Sequence, residues 1–509
     1  MKRKYNILAL LFVCLLSLSL ILFGCGKDDT SSNDESGDVS VGDNSVADIS
    51  GDESAAVSDD ESADISDVSD DISEDGSAEL SGDASEEVGK DTSIDESDDT
   101  PSKEESEPLD PEKEMAKVEV PVLSITLHDQ FDRVHQSYYV KATIQLKDPS
   151  NQFETIKDRN AEIKIRGNST SSGIKKPYNI RFSESHNVLG LGKGKKWYLI
   201  ANLYDKTLMR NKLAYDLAQV LGLTNTSKCT YVDVYLNGKF LGNYLLCESI
   251  GVGEDRVDIN IDNNEFLFEY EPWVGYSNPN AFSTPYFGIL LGYNDRDNAT
   301  AQQKQYLNDF FKKAEMALSN RNWSDIQKYF DIDSFVNHYL LNEFFKNVDI
   351  GTSSTRYYLK GGKLYAGPVW DLDLSSGNCD WEYYGGYNNV YGSGDSTEGI
   401  YSTVQWYRYL IDCPEFLQLV KDRLVEMNDY FVNLYAKNNL GYSRIDVLLT
   451  KYGDSFNRNF TTAGWNVSEW TSILERRPDP TYEANVDYLR TWLEKRHKWL
   501  LNYWGIKIN

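Results

Sequence analysis

Three aspartates close together in the chain, Asp349, Asp371 and Asp373, are the residues whose type and spacing most suggest chemistry. They lie in residues 342–378, NEFFKNVDIGTSSTRYYLKGGKLYAGPVWDLDLSSGN. The stretch reads as the end of an amphipathic helix, a polar loop carrying Asp349, and a hairpin (RYYLK, turn GGK, LYAGPVW). It closes on Trp370-Asp371-Leu372-Asp373. One carboxylate is then set on a loop and a second at a strand end, with a two-stranded ribbon between them. Phosphoryl transfer uses such a pair: one aspartate orients the attacking hydroxyl and another holds magnesium on nucleotide phosphates. The same residues also fit a turn cap at Asp349 and solvated strand-end carboxylates at Asp371 and Asp373.

A second chemical feature lies upstream. Residues 161–166 (AEIKIR) form a strand that runs into Gly167-Asn168-Ser169-Thr170-Ser171-Ser172-Gly173, and Lys175-Lys176-Pro177-Tyr178 opens the next strand. A small-residue loop lets backbone amides approach phosphates, and a lysine beside it neutralises them. A polar hairpin with solvated lysines has the same composition.

The elements that must hold these groups follow from periodicity. Strands alternate through residues 117–148, and Tyr178, Ile180 and Phe182 share one face at period two. Residues 196–201 form a strand. Residues 205–221 read as a helix with Asp205 as N-cap and Gly222 just past its end. Residues 231–236 and 239–248 make a hairpin, residues 266–271 a strand with Glu269 and Glu271 on one face, and residues 272–298 a long surface loop. Helices are expected at 302–319, 333–347, 402–410, 414–434, 442–452 and 486–504, with Trp492, Trp499 and Trp504 in the core. A Gly/Tyr-rich loop, 381–399, has the character of a substrate-facing or lid element. Strands first and helices later imply an α+β fold with a β-rich N-terminal lobe and a helical C-terminal lobe.

The chain has 509 residues and a formal charge of −29. That charge sits in residues 27–116, which hold 33 acidic and 4 basic side chains, whereas residues 117–509 come to −3. No basic footprint is left for a nucleic-acid partner. Residues 27–116 contain no aromatic residue and are rich in Ser, Asp, Glu and Gly. Such a segment buries too little apolar surface to offset its chain entropy and is expected to be an extended, disordered stalk. Its serines beside acids suit a plain spacer or a phosphoacceptor. Residues 1–24 read as an export signal, a basic start followed by an apolar run. Leu22-Phe23-Gly24-Cys25 resembles a bacterial lipobox, which would make Cys25 a lipidated membrane anchor; an ordinary signal peptide is the alternative. The expected layout is a lipoprotein signal at 1–25, the stalk at 26–116 and one folded domain at 117–509.

Cys229, Cys247, Cys379 and Cys413 lie in that domain. Cys229 and Cys247 flank the hairpin centred on Asn237-Gly238. A two-residue turn sets residue 229 against 246 with the cysteines on opposite faces, and a one-residue bulge would align them. The five histidines are scattered singly and give no zinc spacing.

Several pieces in order resemble the spore-coat protein H (CotH) kinase family. They are Arg166-Gly167-Asn168-Ser169-Thr170, Lys175-Lys176-Pro177-Tyr178, Asp205 with Leu208-Met209-Arg210-Asn211, and Gly242, Tyr244 and Glu248. Asn347-Val348-Asp349, Gly367-Pro368-Val369-Trp370-Asp371-Leu372-Asp373, and Trp492, Arg496 and Trp499 complete the set. The likeness covers residues 117–505. It implies an atypical protein-kinase-like fold that uses ATP and Mg²⁺ or Mn²⁺ to phosphorylate protein serine. By position Asp349 resembles the catalytic aspartate and Asp371 the metal-binding one, with Asp373 sharing the metal or orienting it. Lys176 is the first choice for the phosphate-contacting lysine and Lys175 its rival. Arg166 and Asn168 would shape the loop over the phosphates, and Arg210 would contact phosphate or brace the sheet. Asn347-Val348 replaces the His-Arg of ordinary protein kinases, Ser354 stands where they place a metal-binding Asn, and Asp371-Leu372-Asp373 replaces Asp-Phe-Gly. The lysine's glutamate partner stays open among Glu248, Glu269 and Glu271.

Two functions compete. The first is a surface-tethered serine kinase acting on proteins with acidic Ser-rich segments, its own stalk included. The second is a catalytically silent relative on a stalk that binds wall polymer or a host-derived glycan through its Tyr/Trp-rich loops. A glycoside hydrolase needs carboxylates on opposite sides of a bond, and Asp371 and Asp373 are only two residues apart.

Overall fold

Alternation of apolar and polar residues lays down the first part of the chain as strands. β1 (Val122–Leu127), β2 (Val140–Lys147), β3 (Ile156–Ile165), β4 (Tyr178–Asn187) and β5 (Lys193–Ile200) follow one another. After a helix come β6 (Cys229–Leu236) and β7 (Lys239–Glu248). In the computed structural model of this chain these strands close into a barrel in the order β1-β2-β3-β4-β5-β7-β6. The structure describes residues 111–270, 280–293, 299–351, 353–380 and 404–508, all within the unit Ser58–Asn509. The expected signal and Cys25, the stalk up to residue 110, Glu271 and the loop 381–399 lie outside the described residues.

Neighbouring strands are antiparallel except β1 and β6, which run parallel with Val122 opposite Asp233. Burial along β2 alternates strictly, so Val140, Ala142, Ile144 and Leu146 point inward. With Ile163, Ile180, Trp197, Val234 and Leu246 they fill the barrel interior.

A second sheet, ordered β12-β11-β8-β10-β9, joins β8 (Phe266–Tyr270), β9 (Ala281–Ser283), β10 (Leu290–Tyr293), β11 (Arg356–Lys360) and β12 (Lys363–Ala366). The helices are α1 (Pro111–Glu114), α2 (Arg210–Val220), α3 (Ala301–Ser319), α4 (Trp323–Tyr329) and α5 (Ile332–Phe345). They continue with α6 (Tyr407–Leu410), α7 (Pro414–Glu426), α8 (Asn428–Tyr435), α9 (Arg444–Thr461) and α10 (Tyr482–Tyr503). A large shared core joins α2, the second sheet and the later helices through Leu213, Phe268, Tyr357, Phe344, Trp406, Phe431 and Leu489. A small cluster of Leu203, Tyr204, Val348, Leu374 and Cys379 stands apart from it. The mixture of sheets and helices is the α+β class expected, with the β-rich part first. No described helix is long and apolar enough to cross a membrane.

Several elements differ from expectation. α2 starts at Arg210, five residues late, because Asp205 caps a separate turn: its carboxylate accepts from Thr207 N (2.9 Å) and Arg210 N (2.8 Å), and Leu208 has φ +64°. α5 is not amphipathic. Twelve of its fourteen residues are buried, since α2, α7, α10 and β12 surround it. Its Phe335, Phe344 and Phe345 are wholly buried, each contributing about 1.5–3 kcal/mol. Residues 272–298 are not all surface loop: β10 is buried and pairs with β8 and β9. The helix expected at 414–434 breaks at Met427, and α4 was not foreseen. Residues 111–114, assigned by composition to the stalk, form α1, whose Glu114 pairs with Arg444 (2.8 Å) and Lys451 (3.6 Å).

Trp492 and Trp504 are buried, as expected, and Trp499 stacks on Tyr503 at 4.6 Å. The cysteine question is also decided. A register shift between Val234 and Tyr235 sets Cys229 directly opposite Cys247.

Candidate active site

Asp349 is placed by the way α5 stops. Lys346 takes the left-handed conformation (φ +50°) and turns the chain, and Asn347 N–H returns to Asn342 O at 3.1 Å. The Asn347 carboxamide oxygen then accepts from Asp349 N (3.1 Å), and Asp349 opens a 3₁₀ turn, Asp349–Gly351. The end of α5 is itself clamped by α10. Arg496, fully buried, donates to Glu343 Oε1 (2.7 Å) and to the Glu343 carbonyl (2.8 and 3.2 Å).

Asp371 is placed by α2. After the β11–β12 hairpin the chain leaves the sheet, so Asp371 stands beyond the strand rather than at its end. Trp370 stacks on Tyr215 (5.9 Å, 17°) and meets Tyr198 edge-on (5.4 Å). The Asp371 amide donates to the Tyr215 hydroxyl oxygen (3.3 Å), and the Leu372 amide to Asn211 Oδ1 (2.8 Å). Asn211 and Tyr215 are one helical turn apart, so one face of α2 fixes two consecutive amides. The Asp371 carboxylate is oriented by Ser354, whose hydroxyl donates to Oδ2 at 3.0 Å. Asp371 (φ +62°) and Ser354 (φ +56°) both sit in the left-handed region, a strain that surrounding contacts must hold.

Asp373 joins these groups. It is buried, and its carboxyl is pushed well above the ordinary range, first by burial and then by the charges of Asp371, Asp349, Asp205 and Glu475. Three aspartates read from the sequence therefore share one electrostatic site, together with two acids that sequence reasoning had not assigned to it. Asp205 is satisfied by Thr207 and by Arg210 Nη1 at 2.5 Å. Glu475 accepts from Thr471 Oγ1 (2.7 Å) and faces Lys206 Nζ at 3.4 Å. Desolvation raises the Glu475 carboxyl, and Lys206 opposes that.

The small-residue loop reaches the same place. Ser169 and Ser472 lie close to the Tyr204 side chain, which also feels the Asp373 charge. Gly167 has φ +89°, and a Cβ there would lie 2.2 Å from Thr170 Oγ1, so the tight turn needs glycine. The Arg166 guanidinium lies over Tyr198 (4.3 Å) and Trp370 (5.3 Å), linking the loop to the Asp371 segment. Asn168 is exposed at the loop's tip, and its carbonyl accepts from Ser171 Oγ at 2.7 Å.

The two lysines have different surroundings. Lys175 is buried, and its ammonium donates to Ala201 O (2.8 Å), Asn243 O (2.5 Å) and Asn459 Oδ1 (2.9 Å), which uses all three donors. It bolts the barrel to α9. Lys176 is half-exposed and donates to Ser171 O (2.6 Å) in the small-residue loop; burial lowers its pKa. Arg210 is also buried, between Asp205 and the Ser375 carbonyl (Nε, 3.1 Å), so it braces the segment after Asp373. Glu248 pairs with Arg256 (2.6 Å) and Glu269 with Arg356 (2.8 Å).

Lys206, Glu475 and Tyr204 escaped sequence reasoning as members of this site, whereas the sequence shows Ser354 at the position of a metal-binding Asn. Lys206 and Tyr204 adjoin the recognised Asp205, a signal that was available. Glu475 lies in an aperiodic stretch and had none. Among the described residues, no group of three or more His, Cys, Asp or Glu side chains is arranged to hold a metal ion.

No curated protein matches the chain. Residues 163–500, about two thirds of the sequence and the part that carries the motifs from Arg166 to Trp499, match the family model described as CotH kinase protein, and the chain belongs to that family.

Proposed function

We propose that this chain is an ATP-dependent protein serine kinase, working outside the membrane on acidic Ser-rich segments that include its own stalk. Membership of the CotH family suggests a kinase. The observation that carries the finer reading is the convergence of Asp349, Asp371 and Asp373 on one electrostatic site beneath a small-residue loop.

The residues fit magnesium. They offer hard oxygen donors, the Asp371 and Asp373 carboxylates, with the Ser354 hydroxyl beside them. Magnesium is commonly held by one or two carboxylates together with substrate phosphates, so a three-acid cage is not required. Crowding of Asp373 by four other acids is a charge excess that a divalent cation relieves. Bound there, the metal would screen the negative charge of the nucleotide phosphates.

Asp349 accepts the hydrogen bond of the incoming serine hydroxyl, directs it and takes its proton as the new O–P bond forms. The bond between the γ-phosphorus and the departing ADP oxygen breaks in the same step. Lys176 offers its ammonium to the phosphates from the rim of the loop. Lys175 and Arg210 hold the scaffold, and Cys25 tethers the domain through its lipid.

The test compares full-length protein with a version lacking residues 26–110, each incubated with γ-labelled ATP and Mg²⁺ or Mn²⁺. Label on stalk serines or on an added acidic Ser-rich protein, lost in both Asp349→Ala and Asp371→Ala, is the expected result. No label together with no metal-dependent nucleotide binding by calorimetry overturns the reading in favour of a silent surface binder.

A further inference from the structure

Cys229 and Cys247 are not used by the chemistry above, yet they face each other across two neighbouring strands. Cys229 is the register partner of Cys247 because of the bulge between Val234 and Tyr235. The Glu248 amide donates to the Lys228 carbonyl at 3.1 Å, which marks 228 and 248 as the hydrogen-bonded pair. Antiparallel pairs alternate, so Cys229 and Cys247 form the next, non-hydrogen-bonded pair, where Cα atoms approach to about 4.5 Å. Disulfides span Cα separations of roughly 4.4–6.8 Å. Both side chains leave the barrel on its outer face, into the core shared with α2, where the Cys247 thiol donates to the Leu245 carbonyl oxygen at 3.8 Å. Both cysteines are free in this structure.

We propose that Cys229 and Cys247 are a modification site: a cross-strand disulfide that forms when the chain folds in contact with a small-molecule disulfide. The thiolate of one cysteine attacks the oxidant's sulfur and releases one thiol. The second cysteine's thiolate then attacks the mixed disulfide and releases the other. Two protein thiols lose two electrons and two protons, and one disulfide of the oxidant becomes two thiols.

The bond forms on the way to the native state. In the finished fold both sulfurs are buried, and burial raises the Cys247 thiol well above its ordinary range, so attack from within the native core is suppressed. The hairpin can pair before α2 covers it. The same covering then shields the finished bond from reductants. Its neighbour on α2 is Tyr215, which feels both sulfurs and whose hydroxyl receives the Asp371 amide. The bridge would thus stiffen the wall directly beneath the Asp371 segment. Among the described residues no cysteine faces Cys379 or Cys413 across a strand pair: the first bridges to the backbone of Glu475 and the second precedes α7.

The experiment refolds the full chain from urea in a buffer of oxidised and reduced glutathione. Remaining thiols are alkylated under denaturing conditions, and the digest is read by mass spectrometry. The expected result is a linked peptide joining Cys229 to Cys247, two hydrogens lighter than its parts, with Cys379 and Cys413 alkylated. Oxidised protein should also melt roughly 3–6 °C above reduced protein, a gap absent in the Cys229→Ser/Cys247→Ser variant. Cys229 and Cys247 recovered alkylated without reductant, or joined to any other cysteine, overturns the proposal. That readout uses the natural sequence, so it stands even if the double variant fails to fold.

Discussion

Replacing Arg496 with methionine tests how the Asp349 turn is held. The guanidinium is fully buried and gives three hydrogen bonds to one residue, Glu343, through its carboxylate at 2.7 Å and its carbonyl at 2.8 and 3.2 Å. Removing it strands a buried carboxylate, which costs about 3–5 kcal/mol. One group opposes that cost. Lys346 lies close by, and its amine is held at about 7 by burial first and then by Arg496 itself. Without Arg496 it regains its proton at neutral pH and partly neutralises Glu343, so the expected loss is about 3 kcal/mol, the lower end of that range.

Glu343→Leu combined with Arg496→Met removes both charges and should return to within about 1–2 kcal/mol of the parent. The assay is the urea midpoint by tryptophan fluorescence, at pH 5 and pH 8. A buried Glu343 without the Arg496 charge has a folded pKa above its unfolded value of about 4.3, so its penalty appears above that value and grows with pH. Lys346 loses its compensating proton as pH climbs past its own pKa. Both effects make the single variant's deficit larger at pH 8 than at pH 5. A loss under about 1 kcal/mol, or a double variant as unstable as the single one, refutes the reasoning.

Four further outcomes are expected. Lys175→Met should lose about 2–4 kcal/mol of stability, measured in urea, because the Ala201 and Asn243 carbonyls lose their ammonium donor and Asn459 Oδ1 keeps only the Asn243 amide, yet leave nucleotide affinity unchanged by calorimetry. Lys176→Met should do the reverse, weakening nucleotide binding about tenfold with little change in urea midpoint. Ser354→Ala removes the donor to Asp371 Oδ2 and should raise the magnesium needed for half-maximal nucleotide binding about tenfold, read by titration. Burial holds His338 at about 3 and His497 at about 4, against about 6.5 in an unfolded chain. Stability contributed by keeping each neutral is full above pH 6.5 and falls by about 1.4 kcal/mol per pH unit down to the folded value. Urea midpoints of His338→Gln should decline less steeply than the parent's between pH 7.5 and 5, and equal slopes would sink the argument.

Local pattern was enough for much of this fold. The alternation in β2, and the β11–β12 hairpin with its Gly361-Gly362 turn, could be read directly because period and turn chemistry are local properties. Asp205 misled the placement of α2, since an aspartate that caps an isolated turn looks, in sequence, like one that caps a helix. The burial of α5 on all sides depends on α7 and α10, which lie far along the chain. Asp349, Asp371 and Asp373 were legible as acids of the right spacing. That Asp205 and Glu475 approach the same point was not, because only the folded chain brings residues 205, 373 and 475 together. The resemblance put Lys176 ahead of Lys175, but that Lys175 turns inward while Lys176 stays half-exposed follows only from strand geometry.

The parallel pairing of β1 with β6 has a consequence for what counts as the folding unit. The family match begins at residue 163, inside β3, yet β1 lies wholly before it and, among the described residues, is the strand that links β2 to β6. A fragment cut at that boundary keeps the motifs but opens the barrel, leaving β6 and the stub of β3 as raw edges ready to pair with other chains. Even in the intact chain the wall cannot close until β6 has emerged, since Val122 must await Asp233. Assembly is therefore set by a distant partner, and nascent chain is aggregation-prone over that interval. Ancestry and mechanics draw different borders here: the related segment starts at residue 163, whereas the segment able to stand alone must start no later than β1.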